Sequence, residues 1–164
     1  MNNKYPTILC CLIIFLNISS CVSEKPDQKE VIIDPYISVQ EEIREVIFKI
    51  VRDAEEANIE GLKSAHLESS KFSKFGPRDF NRQDVIGTNK TEASFFSTVS
   101  NYKLEVRDLK IDVFDDVAIA TYYPHFSFII NGEGKEGSGS QTFVFLSTGD
   151  GWKIVHEHGT PLQQ

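Results

Sequence analysis

The apolar residues of this chain change their spacing once, near residue 100, and that change restricts the fold more than any other feature. Ahead of it, Val39, Ile43, Val46, Ile47, Ile50, Ala54 and Ala57 recur every three or four residues, the spacing that gives a helix one apolar stripe. After it, Leu109, Ile111 and Val113 alternate with Lys110 and Asp112, the period of a strand with one buried face. Helices followed by a run of strands bury their apolar surface by packing on one side of an antiparallel sheet, an α+β arrangement.

The segments follow from local signals. Ser38-x-x-Glu41 fits a capping box opening a helix to about Ala57, and Asn58 caps a second, short helix through Leu62 to about Leu67. Residues 70–77 (SKFSKFGP) read as a short extended stretch, and Thr91 to Val99 as a third helix after a polar loop. Strands are expected from Tyr102, with a turn at Asp115-Asp116 and a long strand from Val117 to Ile130 that places Pro124 at a bulge or sheet edge. Asn131 to Ser140 reads as a flexible hairpin loop, Gln141 to Leu146 as a strand, and Trp152 to His158 as the last strand after a turn at Gly149-Asp150-Gly151.

The first residues carry a different message. Lys4 precedes an unbroken apolar run, Ile8 to Leu16, too short to cross a bilayer as a helix. It ends at Ile18-Ser19-Ser20-Cys21, which resembles a bacterial lipobox whose Cys is acylated; an ordinary secretory signal is the alternative. Residues 1–20 are thus expected to be a lipoprotein signal peptide, 21–36 a lipidated Cys with a polar tether, and 37–164 the domain. The expected location is the cell envelope, anchored through acylated Cys21 to a lipid membrane. In a Gram-negative host that is the periplasmic side of the outer membrane. Cys10 and Cys11 leave with the signal, so one domain retains no cysteine pair for a disulfide or thiolate metal site. A net charge of −7 excludes a nucleic-acid partner, which needs a basic face. Twelve Phe against one Met point to a core filled by rigid rings.

Gly151-Trp152-Lys153-Ile154-Val155-His156-Glu157-His158-Gly159-Thr160-Pro161 resembles the closing strand of SnoaL-like domains of the nuclear transport factor 2-like superfamily. It is also similar to the end of the calcium/calmodulin-dependent protein kinase association domain. Asp115-Asp116-Val117-Ala118-Ile119-Ala120-Thr121-Tyr122 resembles the turn and strand before it. The resemblance implies a curved antiparallel sheet wrapped around a long N-terminal helix, leaving a cone-shaped cavity, and assembly through the sheet as a homodimer. It does not imply one activity, because the superfamily holds isomerases, dehydratases, hydrolases and binders. Ketosteroid isomerase-like members place a carboxylate on the short strand after the second helix. Here Ser73, Lys74 and Phe75 align there, without an acid. The kinase association domain lines its cavity with arginines, where this chain has Pro124, Phe143 and Gly159.

Strict alternation puts Trp152, Ile154, His156 and His158 on one face of the last strand and Lys153, Val155 and Glu157 on the other. The two imidazoles are candidates for ligand contact or for acid–base chemistry with Tyr122 or Tyr123. Fixing the strand end by hydrogen bonds is the competing role. Trp152, His125 and Phe143 complete the candidate ligand contacts. His66 and His125 have no spacing that supplies a third metal ligand, so neither metal nor cofactor is expected. The first reading is a non-catalytic binder of a small, largely apolar molecule. An enzyme of isomerase, dehydratase or hydrolase type and an oligomeric assembly module are the alternatives.

The anchoring expectation is tested at Cys21. Cys21→Ser should abolish lipid attachment and release the domain from membranes, seen by detergent partitioning and mass spectrometry of the N-terminal peptide. An unmodified N-terminus elsewhere in the wild type would contradict it.

Overall fold

The computed structural model describes residues 36–76 and 81–162. The expected signal peptide, Cys21 and all but the last residue of the tether lie outside the described residues. Helix α1 (Ile37–Glu55) leads through Asn58 into α2 (Ile59–Ala65), then β1 (Ser73–Phe75) and α3 (Val85–Thr98). Four long strands follow: β2 (Val99–Phe114), β3 (Val117–Ile130), β4 (Glu133–Thr148) and β5 (Gly151–Pro161). They form an antiparallel meander, and β1 adds in parallel to β5, giving the order β1-β5-β4-β3-β2. No helix among the described residues is long and apolar enough to cross a membrane.

The stripe on α1 meets the concave face of the sheet. Ile43 and Ile47 are fully buried against Ile111, Val113, Ala118, Ala120, Phe143, Phe145 and Ile154. The small residues Ala118 and Ala120 stand opposite the large Phe145 and Phe143 across the β3–β4 ladder, which lets rings from one strand fill space left by the next. Glu55 joins the end of α1 to β2, accepting from the Leu104 N–H at 3.1 Å and pairing with Lys103 at 3.2 Å.

Several boundaries differ from expectation. Helix α1 starts at Ile37, with Tyr36 as its cap and no side-chain cap bond. The Tyr36 hydroxyl donates to Asp115 at the β2–β3 turn (2.6 Å), so a tertiary contact accompanies the start of the helix, and Glu41 pairs with Arg44 rather than closing a capping box. Asn58 does cap α2, accepting from the Gly61 N–H. Helix α3 begins six residues earlier than expected because Asp84 caps it, its carboxylate accepting from the Gly87 N–H at 2.7 Å.

The largest difference is the expected loop over Asn131 to Ser140, most of which is strand. The turn is Asn131-Gly132 alone, with φ of 53° and 80°, the paired positive values of the tightest hairpin turn. Gly139 is in the strand because the chain passes close by: a Cβ there would lie 2.6 Å from the Thr160 carbonyl oxygen. Pro124 lies in β3, an interior strand rather than an edge, where the pairing to β4 skips Tyr123 and Pro124.

Irregularities bend the sheet around α1. On β2 the register shifts between Ser100 and Lys103 and between Arg107 and Lys110, with Asn101 and Asp108 at positive φ, a conformation these two residue types tolerate. On β5 the register shifts where Val144 pairs with His156 but Phe145 pairs with Ile154. That bulge places one extra residue between Ile154 and His156, which reverses the facing of everything after it.

Trp152, the one tryptophan of the sequence, is partly buried against the core. It pairs with Ser147 beside the Gly149–Asp150 turn, at an end of the sheet where cover is incomplete. Phe145, fully enclosed, is the better test of the core. Phe145→Ala should cost about 3–5 kcal/mol in denaturant melts, and Trp152→Ala distinctly less. Equal losses would contradict this assignment of the packing centre.

Candidate functional site

The β5 bulge determines which side chains of the last strand reach the interior. Ile154 faces the core, and three residues later Glu157 does so too, 5 % exposed and opposite Phe143 on β4. His156 and His158 consequently face the other way, alongside Ser73 and Phe75 of β1. Ser73 Oγ lies 2.8 Å from His156 Nδ1, and the Phe75 ring packs 6.2 and 6.0 Å from the two imidazoles. The expectation that His156 and His158 share a face with Ile154 is corrected: strict alternation fails at the bulge.

Glu157 is the centre of a buried ionic cluster. Its Oε1 is 2.7 Å from His66 Nε2, and its Oε2 is 2.9 Å from Lys74 Nζ. Lys74 Nζ is also 2.6 Å from Glu92 Oε1, and His66 Nδ1 is 2.8 Å from Asn89 Oδ1. The partners come from three elements besides β5. His66 caps the end of α2 and bridges to Ile154 of β5. Lys74 is directly beside Glu157 in the β1–β5 pairing. Asn89 and Glu92 are three apart on α3, hence on one face.

The charge states follow from this geometry. Burial by itself favours the neutral form of Glu157, but the Lys74 charge, then the His66 hydrogen bond and charge, outweigh it and hold the carboxyl below its ordinary range. Burial lowers His66, while the bond and charge of Glu157, with lesser help from Glu92 and Asn89, raise it above the ordinary 6.5. Burial also opposes the Lys74 charge, and Glu157 and Glu92 again prevail, raising it.

A cavity of ≈ 330 Å³ opens beside this cluster, at the small end of the roughly 300–1,000 Å³ typical of ligand pockets. Its wall is mainly apolar, with Ile50, Leu62, Phe96, Leu104, Phe126 and Phe143, and its polar groups include Tyr102, Tyr122, Glu92, Gln141 and Glu157. Burial, followed by the nearby Glu157 charge, pushes the Tyr122 phenol upward, and burial, followed by the Glu55 and Glu92 charges, pushes Tyr102 to about 12.

Of the residues singled out in the sequence, Tyr122 and Phe143 line this cavity, as do Pro124 and Gly159. Tyr123 is 48 % exposed on the opposite face. His125 is outside the lining and lies 3.0 Å from Ser138 Oγ. Trp152, His156 and His158 are also outside the lining. In the sequence, His66 stood out only as a histidine without metal-ligand spacing, Lys74 only at a position lacking an acid, and Glu92 not at all. Glu157 was legible in the motif, on the face opposite Ile154 under strict alternation.

His66, Glu92 and Glu157 bring three donor atoms within 4.8 Å of one another, a set able to hold a metal. Lys74 Nζ, however, is bonded to both carboxylates and supplies the cation that two acids and an imidazole would otherwise seek.

Residues 43–162 match the SnoaL-like domain. No curated protein matches the chain. Among solved structures, a candidate dehydratase of the nuclear transport factor 2-like family from Streptomyces avermitilis aligns with a TM-score of 0.72 at 18 % identity, covering 77 % of this chain and 98 % of its own. A nuclear transport factor 2-like superfamily protein from Salmonella enterica aligns at 0.69 and 24 % identity, with 77 % and 93 % covered. A candidate calcium/calmodulin-dependent protein kinase II association domain from Xanthomonas campestris aligns at 0.65 and 13 % identity, with 75 % and 87 % covered. At these identities the similarity concerns the fold.

The cluster predicts how stability depends on pH. Glu157, lowered in the fold, contributes stability above its ordinary 4.5 that is lost as pH falls through its folded value. His66, raised in the fold, contributes stability below 6.5 that is lost as pH rises through its folded value. These two contributions coexist between those ordinary values, so a pH series of melts should show their joint effect there. Glu157→Gln should cost about 3–5 kcal/mol in that window by removing the carboxylate that His66 and Lys74 share. A melt unchanged by this substitution would contradict the cluster.

Proposed function

The chain belongs to the SnoaL-like domain family, and from that premise we propose that it is a lipid-anchored envelope protein whose cavity binds a small, largely apolar molecule without converting it. The anchor rests on the apolar run ending in Ile18-Ser19-Ser20-Cys21. The binding reading rests on one observation: Glu157, the buried carboxylate that lines the cavity, has both oxygens bonded, one to His66 and one to Lys74.

A general base is most effective with a pKa near the working pH and a lone pair free to take a proton. Glu157 has both oxygens engaged and its pKa lowered, Lys74 is held protonated, and the Tyr122 phenol is raised. An acid–base pair of His156 or His158 with Tyr122 is not assembled, because both imidazoles are on the face of β5 turned away from Glu157. The dehydratase function named for the Streptomyces avermitilis relative would therefore need a base other than these. An apolar wall with a few polar groups at one side suits recognition of a compact molecule by burial and shape.

Titration of isotope-labelled protein with toluene tests this reading. Saturable amide shifts are expected at Ile50, Leu62 and Phe143, and Leu104→Trp, which fills the cavity, should abolish them. Shifts absent from the cavity residues would overturn the reading, as would a substrate whose turnover disappears in His156→Gln or His158→Gln variants that remain folded.

A further inference from the structure

Two phenols inside the cavity carry more information than its apolar wall. Tyr122 is only 6 % exposed, and neither its hydroxyl nor that of Tyr102 has a hydrogen-bond partner among the described residues. Among the described residues no buried side-chain nitrogen or oxygen is sealed off without a partner, so the Tyr122 hydroxyl is open to the cavity it lines. Both rings are packed against other aromatics. Tyr122 meets Phe143 edge-on at 5.8 Å, and Tyr102 meets Phe95 and Phe96 edge-on at 6.0 and 5.3 Å. The oxygens are thus aimed by packing, while buried phenols ordinarily find a partner.

We propose that Tyr122, with Tyr102, donates to the oxygen of a bound ligand, and that the cavity selects compact uncharged molecules carrying a carbonyl-type acceptor. This assignment rests on the binding reading of the same cavity. Phenols kept neutral by their surroundings are donors, which is why an acceptor is required of the ligand.

Charge narrows the class further. Glu92 and Glu157 line the cavity, whereas their cationic partners Lys74 and His66 do not. An anion would therefore meet carboxylates first. A cation gains little, because both Glu157 oxygens are already engaged, by His66 and Lys74, and Lys74 also holds Glu92. Bringing any ion into the apolar remainder carries a desolvation cost that no free counter-charge offsets. An uncharged oxygen acceptor is the chemistry that completes the site.

Four compounds of similar size separate the possibilities: acetophenone, ethylbenzene, benzoate and benzylamine, titrated by NMR into wild type and Tyr122→Phe. Acetophenone should bind wild type about tenfold more tightly than ethylbenzene, the effect of one satisfied buried donor, and more tightly than either ion. In Tyr122→Phe that advantage should disappear while ethylbenzene affinity and the melting temperature stay unchanged, because the lost hydroxyl has no partner among the described residues. Equal affinity for acetophenone and ethylbenzene would overturn the donor assignment while leaving the binding reading intact. Tightest binding of benzoate or benzylamine would overturn the uncharged class. Failure of all four to bind would remove the binding reading, and this assignment with it. A Tyr122→Phe protein that melts markedly lower would show the hydroxyl to be structural and overturn its role toward a ligand.

Discussion

The site depends on one buried carboxylate. Glu157 ties β5 to α2 through His66 and to β1 through Lys74, and Lys74 extends the connection to Glu92 on α3. A charge that far from water is tolerable only when its oxygens are bonded to charged donors, and both of them are. The elements it joins are short: α2 is seven residues long and β1 three. The ionic cluster therefore specifies where these short pieces sit, while the aromatic and aliphatic core under α1 supplies most of the apolar burial.

The bulge on β5 makes that arrangement possible. With strict alternation, Ile154 and Glu157 would face opposite sides, and either the core would lose Ile154 or the cluster would lose its acid. One extra residue lets the strand begin under the hydrophobic core and continue under the polar end of the cavity. The same step turns His156 and His158 toward β1, where Ser73 and Phe75 meet them. The irregularities on β2 serve a related end, curving the sheet so that its concave face can enclose both α1 and an opening.

Much of the fold was legible in residue patterns. The change of period near residue 100 separated helices from strands, the α1 stripe named Ile43 and Ile47, and Asn58 was recognised as a cap. The errors have physical causes. Glycines in residues 132–139 suggested a loop, yet Asn131-Gly132 suffices as the turn, and Gly139 is needed where β5 passes close by. Asp84 extends α3 through a local cap in a segment that looked merely polar. The site was less legible than the fold because a bulge leaves no clear signature in alternation, and one residue of slip exchanged Glu157 for the two histidines. His66 and Lys74 are 91 and 83 residues from Glu157 in the chain, so only the sheet order and the parallel β1–β5 pairing bring them together. Phe143 was named through the resemblance to the kinase association domain, and Tyr122 only together with Tyr123, which faces the other way.

The charge relation between His66 and Glu157 reports most directly on the inward-facing carboxylate. NMR titration of the His66 ring in wild type and in Glu157→Gln measures it without reference to any ligand. Burial alone lowers the imidazole, and Glu157 is the main influence raising it. The titration midpoint should therefore exceed the ordinary value of 6.5 in wild type and drop clearly in a folded Glu157→Gln protein. A wild-type midpoint at or below that ordinary value, or one that the substitution leaves in place, would contradict the inward-facing carboxylate on which the site is built.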